Sequence, residues 1–254
     1  METLFIGKNL LFLHEVDSTN TYAMNLLRNV NVMDGTLIYA DRQTSGRGQR
    51  GSLWSSEIAQ NITASIILKT HFLNIENSFS LSQISALATY DVLADIFPQG
   101  QYDIKIKWPN DILVNKQKIA GILIENTFHH QSIQYSVIGI GLNLNQTDFP
   151  EFQNTATSLK KLLNHSFDRQ NVLEKLCRNL EKWYFKMKDG KLDVINQAYL
   201  DHLYGLDETL KFKRLPGDSF SGIITGISSD GKLNVRTGKL LIEKFDVKEI
   251  AFEL

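Results

Sequence analysis

Ala40-Asp41-Arg42-Gln43-Thr44-Ser45-Gly46-Arg47-Gly48-Gln49-Arg50-Gly51-Ser52-Leu53-Trp54 is the stretch around which the chain reads. Thr36 to Ala40, just before it, is apolar and β-favouring, so a strand feeds straight into a loop. Gly46, Gly48 and Gly51 remove Cβ at three close positions, which permits positive φ and close approach of N–H groups to a ligand. Arg47 and Arg50 add planar, permanently charged donor forks suited to carboxylate or phosphate. So many glycines make ordering costly, and the free loop is expected to be mobile. Two readings stand at this point: a loop that orders around an anion, or a glycine-rich β-connection with solvated arginines. The stretch lacks the Gly-Lys-Ser/Thr ending of a phosphate loop and does not open a helix as dinucleotide-binding glycines do.

The 254 residues suffice for one large domain with a small appendix. A hydrophobic share of 43% and a charged share of 22% are those of a globular protein. The net charge of −1 gives no global pull toward nucleic acid or anionic membrane, so anion recognition has to be local. One cysteine, Cys177, excludes an internal disulfide and a cysteine zinc cluster, and suits a reducing compartment. Its helical setting points to packing, not to a nucleophile. Met1 to Phe12 shows no basic-plus-apolar leader, and no apolar run reaches the ~20 residues of a membrane span. The expectation is a cytoplasmic protein without a membrane partner.

In chain order, Asn9 to Glu15 reads as a strand, closed by Asp17-Ser18-Thr19-Asn20. Those residues are good helix caps for Thr21 to Val30, and their hydroxyls can equally meet a small polar ligand. Asn61 to Lys69 is a central strand. Leu81 to Phe97 is a core helix stopped by Pro98 and Gly100. Ile104 to Trp108 alternates like a strand, and Ile112 to Val114 with Ile119 to Glu125 forms a hairpin. Gly121 inside it marks close approach by a ligand or another backbone. Lys107, Asn110, Asp111 and Lys118 then gather at strand ends around one turn; surface charges are the plainer reading. Ser132 to Leu144 is a buried strand thinned by Gly139 and Gly141, ending near Asn143. Asn171 to Lys188 and Val194 to Leu203 are helices. From Leu206 the pattern turns to short strands, a small β-barrel docked on the larger domain. The expected division is 1–205 and 206–254.

His14, His71, His129, His130, His165 and His202 lie in unrelated contexts, so no metal set or serine–histidine triad is assigned. The polar set suits joining two anions. A carboxylate attacking an α-phosphate meets like-charge repulsion of roughly 4 kcal/mol at an effective dielectric near 20. Cations placed around both groups offset it and stabilise charge in the transition state. Arg47, Arg50, Lys107 and Lys118 are available, Mg²⁺ would escort the nucleotide, and Asp111 could orient a lysine or hold metal.

Five motifs in order then resemble the biotin–protein ligases (biotin–[acetyl-CoA-carboxylase] ligases): Asp17-Ser18-Thr19-Asn20; Gln43 to Gly51 with Trp54; Lys107-Trp108-Pro109-Asn110-Asp111; Lys118 to Glu125; and Gly139-Ile140-Gly141-Leu142-Asn143. The resemblance covers essentially the whole chain. It implies an α+β fold, a central mixed sheet flanked by helices as in class II synthetases, with a small C-terminal SH3-like β-barrel. It implies a ligase that makes biotinyl-5′-AMP from biotin and ATP, then hands biotin to a lysine of a biotin carboxyl carrier domain. By resemblance Ser18, Thr19, Asn20 and Gln43 line the biotin pocket. Gly46, Arg47, Gly48 and Gln49 belong to the loop over biotin and the adenylate, beside Lys118 and Gly121. Lys118 contacts carboxylate and phosphate. Arg47, Arg50, Trp54, Lys107, Asn110, Asp111 and Asn143 serve the nucleotide, and Lys118, Arg47, Arg50 and Asp111 are the catalytic candidates. Many members carry arginine where this chain has Gln49, and often a basic residue at Ser52, so this loop is less cationic and Arg50 is expected to take over part of the work. The Ser-Thr-Asn motif stands already at position 18, so the DNA-binding domain of bifunctional members, and a nucleic-acid partner, are not expected. Members often form homodimers through the central sheet. A lipoate or octanoate protein ligase, with a different Arg/Gly signature and an apolar tunnel, and a non-catalytic biotin or nucleotide sensor are the competing readings.

Overall fold

Leu10–Val16 (β1) leads through helix Thr19–Asn29 (α1) into Thr36–Gln43 (β2), and the crossover makes β1 and β2 parallel. A computed structural model of the chain describes residues 2–130, 132–150, 155–238 and 241–253; the side chain of Arg50, one of the expected cations, lies outside them. Ile62–Lys69 (β3), Ile104–Lys107 (β4), Asp111–Val114 (β5), Gln117–His129 (β6) and Ser132–Leu142 (β7) complete a seven-stranded sheet in the order β1-β2-β3-β7-β6-β5-β4. Every pair but the first is antiparallel, so the sheet is mixed, as expected.

Alternation along the strands gives the two faces different tasks. Leu37, Ile66, Leu68, Ile138 and Ile140 face the main core, built with helices Phe79–Ile96 (α2), Arg169–Lys188 (α4) and Leu192–Asp201 (α5). Ile38, Ile67 and Val137 face the other way, under α1 and its Ala23. Asp168 caps α4 by accepting from Asn171 N at 2.7 Å, and Ser158 caps the short Leu159–Leu163 (α3) from Lys161 N. Cys177 is fully buried in α4, where burial, with Glu181 and Glu174 nearby, pushes its thiol up to about 12. Among the described residues no helix is long and apolar enough to cross a membrane.

The region expected to form one hairpin holds two. β4 turns into β5 at Trp108-Pro109-Asn110, and β5 turns into β6 at Asn115-Lys116. Pro109 ends β4 and the four-residue β5 returns on it; both strands are read from the sequence, but their pairing with one another is not a local property. Thr209–Arg214 (β8), Ser219–Ile227 (β9), Leu233–Arg236 (β10), Ile242–Phe245 (β11) and Ile250–Phe252 (β12) form the C-terminal antiparallel sheet, in the order β11-β10-β9-β8-β12. The three-residue β12 was not anticipated, being too short to show a period. The sequence also reads as a strand over Leu240-Leu241-Ile242 and as a loop from Gln146 to Asn154; Leu240 and residues 151–154 lie outside the described residues.

This second sheet is joined to the first through the β4–β5 turn. The Trp108 indole is buried and donates from Nε1 to Gly231 O at 2.9 Å. The Lys107 ammonium lies 5.0 Å from the centre of the Phe252 ring. Trp108→Phe leaves the Gly231 carbonyl without that donor and a void beside it. A loss of about 2–4 kcal/mol in urea unfolding is expected; a loss below about 0.5 kcal/mol would show that the indole does not anchor this junction.

Candidate functional site

The site begins where α1 starts. Asp17 Oδ1 accepts from Ser18 N at 2.7 Å, and Ser18 takes the N-cap position with extended backbone. Its hydroxyl makes no capping bond, contrary to the capping expected of it, and lines a cavity of about 380 Å³ instead. Thr19 donates from both N and Oγ1 to Gln43 Oε1, at 2.8 and 3.0 Å. Ser65 Oγ lies 2.8 Å from Thr19 Oγ1 and 2.6 Å from Asn20 Oδ1, so its one proton has two acceptors. Asn20 Nδ2 donates to Glu125 Oε2 at 3.0 Å. Thr19, Asn20 and Ser65 are buried and Gln43 and Glu125 half-buried, and their mutual bonds make a row of donors and acceptors across β2, β3 and β6.

The opposite end is charged. Lys107 and Asp111 are cross-strand partners in β4 and β5, and Asp111 pairs in turn with Gly121 of β6. A register shift between Ile112 and Leu113 sets Lys118 so that its Nζ reaches Asp111 Oδ1 at 2.7 Å. Asn110 Nδ2 donates to Ile122 O at 2.6 Å and Asn110 O accepts from Ile122 N, which pins the turn carrying Asp111. Lys107 is not among the residues lining the cavity. Burial under the C-terminal sheet pushes its ammonium below the ordinary lysine value, with Asp111 pulling the other way.

Over both ends folds the glycine-rich loop. It is a small hairpin: Arg47 and Leu53 form an antiparallel bridge, Gly48 N donates to Ser52 O at 2.7 Å, and Gln49–Gly51 makes a 3₁₀ turn closed by Gly51 at φ +83°. Gly46 serves contact, not φ, because a Cβ there would stand 2.3 Å from Trp54 O. Arg47 spans the mouth, Nη2 lying 3.3 Å from Glu125 Oε1 and Nη1 3.4 Å from Thr21 Oγ1.

The floor is made by what is missing from it. Gly121 and Gly141 face one another across β6 and β7, and Gly139 lies opposite Ser65. A Cβ on Gly141 would meet the Trp54 indole at 2.3 Å, and one on Gly139 would meet Asn20 Oδ1 at 2.2 Å. The indole therefore rests on bare backbone, with Lys118 Nζ 5.7 Å from its ring centre. Trp54 Nε1 and Asn143 Oδ1, a donor and an acceptor of the wall, are buried without protein partners among the described residues. Each such group costs about 1–3 kcal/mol until a partner arrives.

Ser18, Thr19, Asn20, Gln43, Arg47, Gly48, Gln49, Trp54, Asn110, Asp111, Lys118, Gly121 and Asn143 thus line one cavity, although they come from five separate parts of the chain. Gly46 stands behind the lid and Lys107 outside. Sequence reasoning missed Thr63, Ser65 and Leu123, and gave Glu125 no role. Ser65 and Thr63 interrupt the apolar run of β3 on one face only, which is the signal that could have found them.

The chain matches the model of the biotin/lipoate A/B protein ligase family over residues 12–143. It is 31% identical over 242 residues to the bifunctional ligase/repressor BirA of Bacillus subtilis, covering 94% of this chain and 73% of that protein. It is 30% identical over 229 residues to the biotin–[acetyl-CoA-carboxylase] ligase of Paracoccus denitrificans, covering 88% and 92%. This chain belongs to the biotin/lipoate A/B protein ligase family. Its fold superposes on the biotin protein ligase of Aquifex aeolicus in complex with biotin and ATP with a TM-score of 0.79 at 28% identity, covering 97% of this chain and 99% of that one.

In this family member, then, a neutral hydrogen-bonding row and a lysine–carboxylate pair share one enclosed space beneath an arginine-bearing lid. Gly141→Ala tests the floor. It should lift the Trp54 indole, shift tryptophan emission to the red, and cost about 1–3 kcal/mol of stability. Unchanged emission would place the indole elsewhere.

Proposed function

We propose that the chain is an ATP-dependent biotin–protein ligase acting on a biotin carboxyl carrier domain. One observation carries the reading: Arg47 and Lys118 reach the same cavity whose far wall is the Ser18–Thr19–Asn20–Gln43 row. A cyclic urea needs both donors and acceptors held without charge, and that row offers them. The acid end of the ligand then lies toward Lys118.

In the first step a carboxylate oxygen of biotin attacks the α-phosphorus of ATP. The new P–O bond replaces the bond to pyrophosphate, giving biotinyl-5′-AMP and pyrophosphate. Lys118, held by Asp111, sits to neutralise the two approaching anions, and Arg47 adds charge from above. Trp54 Nε1 and Asn143 Oδ1 offer a donor and an acceptor to the nucleotide. Arg50 we assign to the phosphates by resemblance. Lys107, half-buried and against Phe252, we assign to holding the turn and not to the reacting atoms.

Mg²⁺ would travel on the nucleotide's phosphates and screen their charge. The fit is modest: among the described residues no three of His, Cys, Asp or Glu are grouped, and Asp111 is the one carboxylate lining the cavity. In the second step a carrier lysine amine attacks the acyl carbon, forms the amide, loses a proton and expels AMP. The lid keeps water from the anhydride meanwhile. The single buried thiol supports a reducing compartment, and we place the enzyme in the cytoplasm.

Labelled biotin or lipoate is incubated with ATP, Mg²⁺ and a carrier domain. Biotin incorporation and pyrophosphate release are expected; lipoate incorporation alone, or biotin binding without pyrophosphate, overturns the reading. Lys118→Ala and Arg47→Ala should each slow adenylate formation about tenfold or more at unchanged melting temperature.

A further inference from the structure

Glu125 is a carboxylate at the mouth of a site built for anions, where its own charge repels what the site should bind. Its contacts account for it. On the sheet side Oε2 accepts from Asn20 Nδ2 at 3.0 Å, and Asn20 is 3% exposed and tied in turn to Ser65 at 2.6 Å. On the lid side Oε1 lies 3.3 Å from Arg47 Nη2. One oxygen is thus bound to the sheet and the other to the glycine-rich hairpin. Glu125 is the fixed jaw: its side chain is 25% exposed against 50% for Arg47, which stands on a hairpin of glycines. Thr21 Oγ1 takes Nη1 at 3.4 Å, so both contacts come from outside the reaction space and leave the guanidinium's other N–H groups for a ligand.

We propose that Glu125 is a positioning residue, which holds Arg47 and with it the lid in the closed arrangement before a ligand arrives. The lid's ordering cost is then met partly in the free protein, and an anion finds its arginine already placed. The ligand class is the carboxylate of the free acid or the phosphate of its adenylate; this rests on the ligase reading above.

Two physical effects of removing the charge have opposite signs, which makes the idea testable. As a mere source of repulsion, Glu125→Gln would tighten anion binding. As a positioning residue it weakens it, and only through Arg47. The probe is the non-hydrolysable phosphate ester of biotin alcohol and adenosine, titrated by calorimetry, with biotin and neutral biotin alcohol as further arms that separate phosphate from carboxylate. Glu125→Gln should weaken the phosphate ester, or biotin, about two- to fivefold, the range of an exposed ion pair. Tryptic cleavage between Arg47 and Gly51 in the free protein should accelerate by a similar factor. In an Arg47→Ala background the same substitution should change affinity less than about twofold. Unchanged or tighter binding of both anions, or an equal loss without Arg47, overturns the proposal. Glu125→Asp, which keeps the charge but draws it back by one methylene, should act in the same direction and serves if the Gln variant does not fold. Should the wild type bind none of the three ligands, the ligase reading fails, while the cleavage rates of the free proteins still decide the role of Glu125.

Discussion

The site depends on a close contact: an indole resting on a pair of glycines. Gly121 and Gly141 are cross-strand partners, and Trp54 from the lid lies on them where any side chain would stand. Elsewhere on a sheet, side chains hold a covering loop away from the backbone. Here the covering loop comes down to the strands, and its first and last residues are fixed at once. Trp54 N bonds Gly46 O, and Arg47 bridges Leu53, so the position of the indole dictates where the arginine projects. The same ring shields one side of Lys118, whose other side meets Asp111. Floor, lid and cation are one packing problem.

That arrangement is affordable because stability is supplied from the opposite face. α2, α4 and α5 bury the apolar side of the sheet, so the α1 side is free to carry Thr63, Ser65 and three glycines where a core would want Val or Ile. α1 is short, and its apolar support from Ile38, Ile67 and Val137 ends where the polar row begins. The cavity lies just past the helix N-terminus. Family membership and the fold follow from the whole chain, whereas the chemistry rests on this small area in which packing gave way to hydrogen bonding.

The C-terminal sheet has a quieter part in the same design. Through Trp108 and Gly231 it grips the β4–β5 turn from behind, and that turn carries Asp111 into position for Lys118. Lys107, the cross-strand partner of Asp111, lies against Phe252 of the second sheet.

Much of this could be read in the bare chain. Contiguous motifs announce themselves, because Asp17-Ser18-Thr19-Asn20, the Gly-Arg loop and Trp-Pro-Asn-Asp each hold their chemistry in a few neighbouring residues. The strands and helices were legible for the same local reason, because period and punctuation are properties of short windows; the mixed pairing of the sheet is implied only by the family resemblance. Glu125 and Ser65 were not legible. Each is one polar residue in a strand, and its meaning comes from partners 105 and 45 residues away in the chain. Lys107 and Lys118 look alike in sequence, yet a register shift beside one and a second sheet beside the other separate them. The residue types, their local order and the family were thus set by the chain alone. Which cation faces the cavity, which serine joins the hydrogen-bonded row and what holds the lid arginine were decided by strand register, because register determines which side chains share a face.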